Sequence, residues 1–285
     1  MSTDLFQKCF QQACLLELRA IKPGNVGYHA DGHGMNVQQF ELSAAVSAPA
    51  LFDAQARGVG ERILQAVNAT RTAVADNTNL GIILLIAPMA QALIDSPADQ
   101  SLHDGLKILL PALGVEDAVM CYQAINLAQP GGMGEVESQD LALAPKVTLI
   151  EAMRLAAGRD AIAHEYISNY ERLFSYNIDI YREFKNQWGS PEWAATAVYL
   201  SQLRTQPDSL VTRKKGLLKA REISDMIAPL ADQVLAAADP SRYENELLSL
   251  DGQLKTSGIN PGTTADLTVA TLFVAILEEA GGGII

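Results

Sequence analysis

Residues Ile63–Ala90 read ILQAVNATRTAVADNTNLGIILLIAPMA, two helical runs with a polar break between them. Ile63, Val67, Thr70 and Val74 recur at the three- and four-residue spacing that lines one face of a helix. Asp76-Asn77-Thr78-Asn79 then interrupts the pattern, and Leu80–Ala90 is apolar nearly throughout. That run is too short to cross a bilayer, which takes roughly 20 helical residues. The same holds for Leu267–Leu277, so both are expected as buried core helices.

The helical pattern continues in both directions. Val115, Val119, Tyr122 and Ile125 repeat the spacing. Thr148 and Glu151 make a capping box for a helix expected to run to about Tyr170. Ser190-Pro191 is a helix start with proline in the first turn, and Trp193, Ala197, Leu200 and Leu203 share a face after it. Strand-like alternation is nearly absent. The expectation is an all-α fold, a single multi-helical domain over residues 1–285 with roughly ten to twelve helices of ordinary length. No repeat or linker divides it.

Composition narrows the function. Hydrophobic residues make up 48% of 285, enough for a substantial core, and the formal charge is −12. An acidic chain lacks the basic face of a nucleic-acid binder, so no nucleic-acid partner is expected. Cys9, Cys14 and Cys121 form no CxxC pair, and residues 1–12 carry neither a basic nor an apolar leader pattern. Those features suit a cytoplasmic protein with no membrane segment.

Polar loops at helix ends are the candidate chemistry. Glu17 continues the apolar stripe of Phe6, Phe10, Ala13 and Cys14 and stands just before Lys22-Pro23-Gly24-Asn25. An inward carboxylate there suits acid–base work, against the plainer alternative of a pair with Arg19 or Lys22. Asn77, Thr78 and Asn79 precede the most apolar helix and can cap it or receive an anion. Pro130–Gly134 is flexible without being a P-loop. Asp208 is followed by Arg213-Lys214-Lys215-Gly216, the one dense basic run, suited to a polyphosphate or to a solvated helix. Thr263 and Asp266 read as a cap and third-position pair at the start of the last helix, after Pro261-Gly262. The four histidines give no zinc spacing.

Taken in order, these pieces resemble the triphosphoribosyl-dephospho-CoA synthase family, in a divergent branch similar to archaeal and methylotroph members. The resemblance rests on Glu17 with Lys22-Pro23-Gly24-Asn25, Met35 and Phe40 before Ser43-Ala44, Asn77-Thr78 with Gly81, Asp208 with Arg213 and Gly216, and Pro261-Gly262 with Ala265-Asp266-Leu267. It implies an all-α transferase that uses ATP with Mg²⁺. Such an enzyme moves the triphosphoribosyl group to a hydroxyl of 3′-dephospho-CoA or a related cofactor precursor and releases adenine. On that basis Glu17 is the candidate base or oxocarbenium stabiliser, and Lys22, Arg213 and Lys214 are phosphate ligands. Asn25, Asn77 and Asn79 contact ribose or base, and Asp208 and Asp266 hold the metal. Thr78, Gly81, Pro23, Gly24, Gly216, Pro261 and Gly262 complete the expected substrate loops. Partners are then small-molecule nucleotide and cofactor-precursor substrates, with a homodimer as the assembly. Where the family has a His-x-Asp-Met motif, this chain has Gly32-His33-Gly34-Met35, and its Asn-Thr-His-Lys-Gly becomes Asn77-Thr78-Asn79-Leu80-Gly81. Those changes leave two further readings: a different acceptor, such as a precursor in pterin-linked one-carbon coenzyme biosynthesis, or a non-catalytic nucleotide-binding protein.

Overall fold

The computed structural model describes residues 2–97, 99–130 and 145–281. The chain folds through α1 (Thr3–Arg19), α2 (Val37–Leu51), α3 (Val59–Val74), α4 (Leu80–Asp95), α5 (Leu102–Leu109), α6 (Val115–Ala128) and α7 (Leu149–Ala156). It continues through α8 (Ala161–Ser168), α9 (Ile178–Trp188), α10 (Pro191–Leu203), α11 (Ser209–Lys215), α12 (Leu217–Ala236), α13 (Glu244–Thr256) and α14 (Gly262–Gly281). With 75% helix and no strand among the described residues, the fold is all-α as expected. Fourteen helices among the described residues exceed the ten to twelve expected because several are short. The helix expected from Thr148 to Tyr170 shows why. Its capping box forms, but Asp160 starts a new helix by accepting a hydrogen bond from the Ala163 N–H at 3.0 Å, so the run divides into α7 and α8.

A helix that is apolar on every side must be enclosed. α4 and α14 are both buried around most of their circumference and pack on each other. Proline at position 88 removes one backbone donor from α4, which would leave the Leu84 carbonyl unpaired. The Tyr166 hydroxyl donates to that carbonyl at 2.6 Å, and the Tyr170 hydroxyl donates to the Leu85 carbonyl at 3.0 Å, fastening α8 to α4. Phe6, Phe10 and Phe273 surround Phe52 with ring centroids 5.8–6.1 Å apart, joining α1 and α14 at the other end of this core. A second core joins α10, α12 and α13 through Leu200, Leu203, Ile223, Ile227, Leu247 and Leu254. Ile21 and Ala265 belong to that second cluster, and Trp188 packs on both. No single helix among the described residues is long and apolar enough to cross a membrane.

Glu165 on α8 is 3% exposed, and its Oε2 has no hydrogen-bond partner. Burial raises its carboxyl from an ordinary 4.5 to about 7, with Arg172 opposing. Between those values the folded state keeps a proton that the unfolded chain releases, so stability falls as pH rises through this window. Glu165→Gln is expected to flatten that decline and to add up to about 3 kcal/mol at pH 8. Urea denaturation at pH 5 and pH 8 checks it; an unchanged difference between the two pH values in the variant refutes the assignment.

Candidate active site

α1 ends because the chain turns into Lys22-Pro23, and Ala20 is already extended at φ −68°, ψ 145°. Glu17, on the buried stripe as expected, then meets Lys22. The two side chains are 7% and 1% exposed and form an ion pair. An ammonium has three N–H donors. Lys22 spends all of them inside the protein, on Glu17 Oε1, on Asn25 Oδ1 at 3.0 Å and on the Val26 carbonyl at 2.8 Å. Burial raises the Glu17 carboxyl, and the charge of Lys22 pulls it back. No hydrogen bond reaches Glu17 Oε2 from the described residues, and the side chain forms part of a cavity wall.

The loop carrying this pair is fixed by distant helices. The Ile21 N–H donates to Thr196 Oγ1 at 3.0 Å, and the Tyr199 hydroxyl donates to the Pro23 carbonyl at 2.8 Å. The Gly24 N–H donates to Asp251 Oδ1 at 2.8 Å, while Lys255 holds Asp251 Oδ2 at 2.8 Å. Gly24 sits at φ 89°, and a Cβ there would lie 2.9 Å from Pro261 Cδ, so only glycine fits. Asn25 Nδ2 reaches Asn260 Oδ1 at 2.8 Å.

Two other helix starts converge on the same place. Asn77 Oδ1 accepts from the Leu80 N–H at 3.3 Å. Ser43 Oγ donates to the Gln39 carbonyl, which leaves Thr78 Oγ1 to donate to Ser43 at 2.5 Å. Asn79 turns away from the cavity, its amide donating to Ser47 Oγ at 3.2 Å. At α14 the expected Thr263–Asp266 cap does not form. Asp208 does the work instead: its Oδ1 accepts from the Val211 N–H at 2.9 Å and its Oδ2 from both the N–H and hydroxyl of Thr264 at 2.8 Å. One buried carboxylate thus caps α11 and α14 together. Asp266, released from capping, lies on the cavity wall against Gly81, where any Cβ would overlap its carboxylate. Burial, then the nearby charges of Asp208, Glu17 and Asp160, push the Asp266 carboxyl well above the usual range, against Arg213.

The cavity bounded by these ends measures about 1250 Å³. Glu17, Asn25, Asn77, Thr78, Gly81, Arg213, Lys214, Gly262 and Asp266, all expected at the site, line it. Lys22, Pro23, Gly24, Asn79, Asp208, Gly216 and Pro261 do not reach its surface; the hydrogen bonds above make most of them supports for the residues that do. Pro130 lines the rim, and the rest of the Pro130–Gly134 loop lies outside the described residues. Sequence reasoning missed Arg159 and Asp160. Asp160 Oδ2 is 3.6 Å from the Arg213 guanidinium, and Arg159 is a third cation lining the cavity. Asp160 could have been found as a cap before Ala161; Arg159 gives no such signal. Burial and the flanking cations Arg213 and Lys215 lower the Lys214 ammonium, a repulsion that an anion would relieve.

The profile of the family described as CitG, ATP:dephospho-CoA triphosphoribosyl transferase, matches residues 3–284. The chain belongs to this family. A solved structure from Archaeoglobus fulgidus, provisionally named as a triphosphoribosyl-dephospho-CoA synthase, is similar at 25% identity and a TM-score of 0.65, covering 83% of this chain and 97% of the other. A search of curated proteins returned no match. Family membership makes the chain a transferase of the class that uses ATP and dephospho-CoA, and the resemblance drawn from the loop motifs stands.

The hydrogen bonds of Lys22 make a specific demand. Lys22→Met leaves the Glu17 carboxylate buried without its partner, which costs about 3–5 kcal/mol in comparable pairs. Chemical denaturation should show that loss. Unchanged stability together with weakened ATP binding would instead return Lys22 to a phosphate-binding role.

Proposed function

We propose that the cavity transfers the triphosphoribosyl group of ATP to a hydroxyl of 3′-dephospho-CoA or a closely related cofactor precursor, with release of adenine. The observation that carries this reading is the presence, in one cavity, of a carboxylate held by a buried lysine and of the cations Arg213 and Lys214 in an otherwise acidic chain. In the reaction the C1′–N9 bond of ATP breaks and its electron pair leaves with adenine. A bond forms between C1′ and the acceptor oxygen, whose proton passes to Glu17 and is then delivered to the departing adenine. Lys22 keeps that carboxylate aimed, so positive charge developing at the ribosyl carbon meets fixed negative charge. Arg213 and Lys214 take the triphosphate through charge-assisted hydrogen bonds. Asn25 and Asn77, which line the cavity, are the proposed hydrogen-bond partners of ribose or base, and Asn79 is proposed to act by fixing the start of α4.

The acidic residues suit Mg²⁺ in a particular way. That ion is commonly held by one or two carboxylates, with phosphate oxygens and water filling its remaining positions. No group of three or more His, Cys, Asp or Glu forms a metal cage among the described residues. Asp266 can serve as the single protein anchor, because it faces the cavity and accepts no hydrogen bond among the described residues. Asp208 supports it from behind as the double cap. The bound ion supplies charge neutralisation of the triphosphate.

The cavity draws on α1, α4 and α14 of the first core and on residues beside Ala265 of the second, so residues 1–285 are proposed to fold as one domain. The cytoplasm is the proposed compartment, supported by three cysteines that are buried and free.

Two measurements test the assignments. Calorimetry of ATP with Mg²⁺ should show affinity lowered at least about tenfold in the Arg213→Ala, Lys214→Ala double variant, since bonds to charged groups contribute about 1.5–3 kcal/mol each. Wild-type affinity would remove both residues from the phosphate site. Glu17→Gln should keep ATP binding while adenine release, followed by chromatography with dephospho-CoA as acceptor, slows by about 10²–10⁴-fold. Turnover at the wild-type rate would exclude Glu17 as the base.

A further inference from the structure

The cavity is larger and more divided in character than a triphosphate site requires. Ligand pockets commonly occupy about 300–1,000 Å³, so about 1250 Å³ leaves room beside one nucleotide. Its polar groups sit at the helix ends of α1, α4, α11 and α14. The wall made by α6 and α7 is different: it is mainly apolar, with Ile125, Leu149, Met153, Leu155 and Ala156, and its polar groups, Tyr122 and Asn126, are uncharged. Among the described residues no charged residue of α6 or α7 lines the cavity; Arg159, just after α7, does, and its charge opposes the rise that burial and Cys121 give the Tyr122 phenol. Leu155 belongs to this wall and is 58% exposed, so the apolar surface continues out through the cavity mouth. A leucine left open to water at the rim of a cavity is surface that a bound molecule can cover.

We propose that the α6–α7 wall is the acceptor subsite and that it takes an uncharged, extended arm of the acceptor, the part remote from the hydroxyl that reacts. This rests on the transferase reading above and adds to it which substrate lies where. A phosphate placed against this wall would lose its hydration with no cation beyond Arg159 to replace it, whereas hydrocarbon and amide groups lose little there. The cations of α11 then hold the donor and the α6–α7 wall sorts acceptors by the neutrality of their distal arm. Both substrates occupy the cavity together, so transfer from ATP to the acceptor is direct.

Pantetheine is the uncharged arm of dephospho-CoA and serves as the probe. Calorimetry should show it binding to the wild-type protein saturated with ATP and Mg²⁺. Leu155→Lys alters a residue already open to solvent, and Ile125→Asn alters a half-buried one. Either should weaken pantetheine binding and raise the KM for dephospho-CoA by about tenfold, the scale on which a pocket distinguishes apolar groups. ATP affinity should stay at the wild-type value, which also verifies that each variant is folded. If the wild-type protein ignores pantetheine at millimolar concentration, or both variants bind it as the wild type does, the subsite assignment is overturned. If ADP, which lacks the arm, displaces pantetheine from the ATP-loaded protein, the wall is not selecting for neutrality and the inference fails as well. Pantetheine binding that responds to the variants while dephospho-CoA yields no adenine would uphold the subsite and overturn the proposed reaction instead.

Discussion

A lysine ammonium cannot be buried unless every one of its donors finds an acceptor, and the site is organised by that requirement. Lys22 needs Glu17 from the helix before it and Asn25 and Val26 from the loop after it. To bring those acceptors round one nitrogen, the chain must reverse at Pro23-Gly24, and a reversal at φ 89° against Pro261 admits no side chain. The turned loop exposes its own backbone groups, which Thr196, Tyr199 and Asp251 then satisfy. The carboxylate that results is fixed on one side and open to the cavity on the other. Its position is over-determined, which suits a group whose usefulness depends on geometry.

The same economy governs the acidic residues. Asp208 is buried at no expense in unpaired groups because two helix N-termini converge on it. Both helix dipoles add to the hydrogen bonds that keep its charge tolerable. With α14 capped from outside its own sequence, Asp266 is left uncommitted in a region already crowded with negative charge. A cation, whether Arg213 or a metal, lowers the energy of that arrangement. An acidic protein can therefore receive a polyanion: acidic groups and basic groups occupy the same cavity, each needing what the other attracts.

Much of this was legible in the sequence, for local reasons. The helices follow from apolar spacing, the capping box at Thr148 from its residues, and the gathering of the loop motifs from their likeness to a family. What was not legible depends on direction and distance. Nothing in Lys22-Pro23-Gly24-Asn25 says that the ammonium turns back into the protein, because a lysine stem reaches either way. The cap of α14 was assigned to its neighbour Thr263, whereas the residue that caps it lies 56 positions earlier. Asn79 looks equivalent to Asn77 in the sequence, yet its amide is used against α2. Arg159 is a lone arginine between two short helices, and only the break at Asp160 aims it at the cavity. The apolar α6–α7 wall read simply as helical spacing, since a core face and a ligand face have the same pattern.

The tethering of the first loop carries a consequence for how the protein comes into being. Ile21, Pro23, Gly24 and Asn25 each take a partner 175 to 235 residues further along the chain. During synthesis α1 emerges early, but its terminal loop lacks these distant partners until α10, α13 and the start of α14 have left the ribosome. The helices of the first half can pair with one another meanwhile, through α2 on α3 and α3 on α4. The first core is also incomplete until then, because α1 and α4 both pack on α14. The candidate site closes only when the start of α14 is in place, because Asn260 and Gly262 line the same cavity as Glu17.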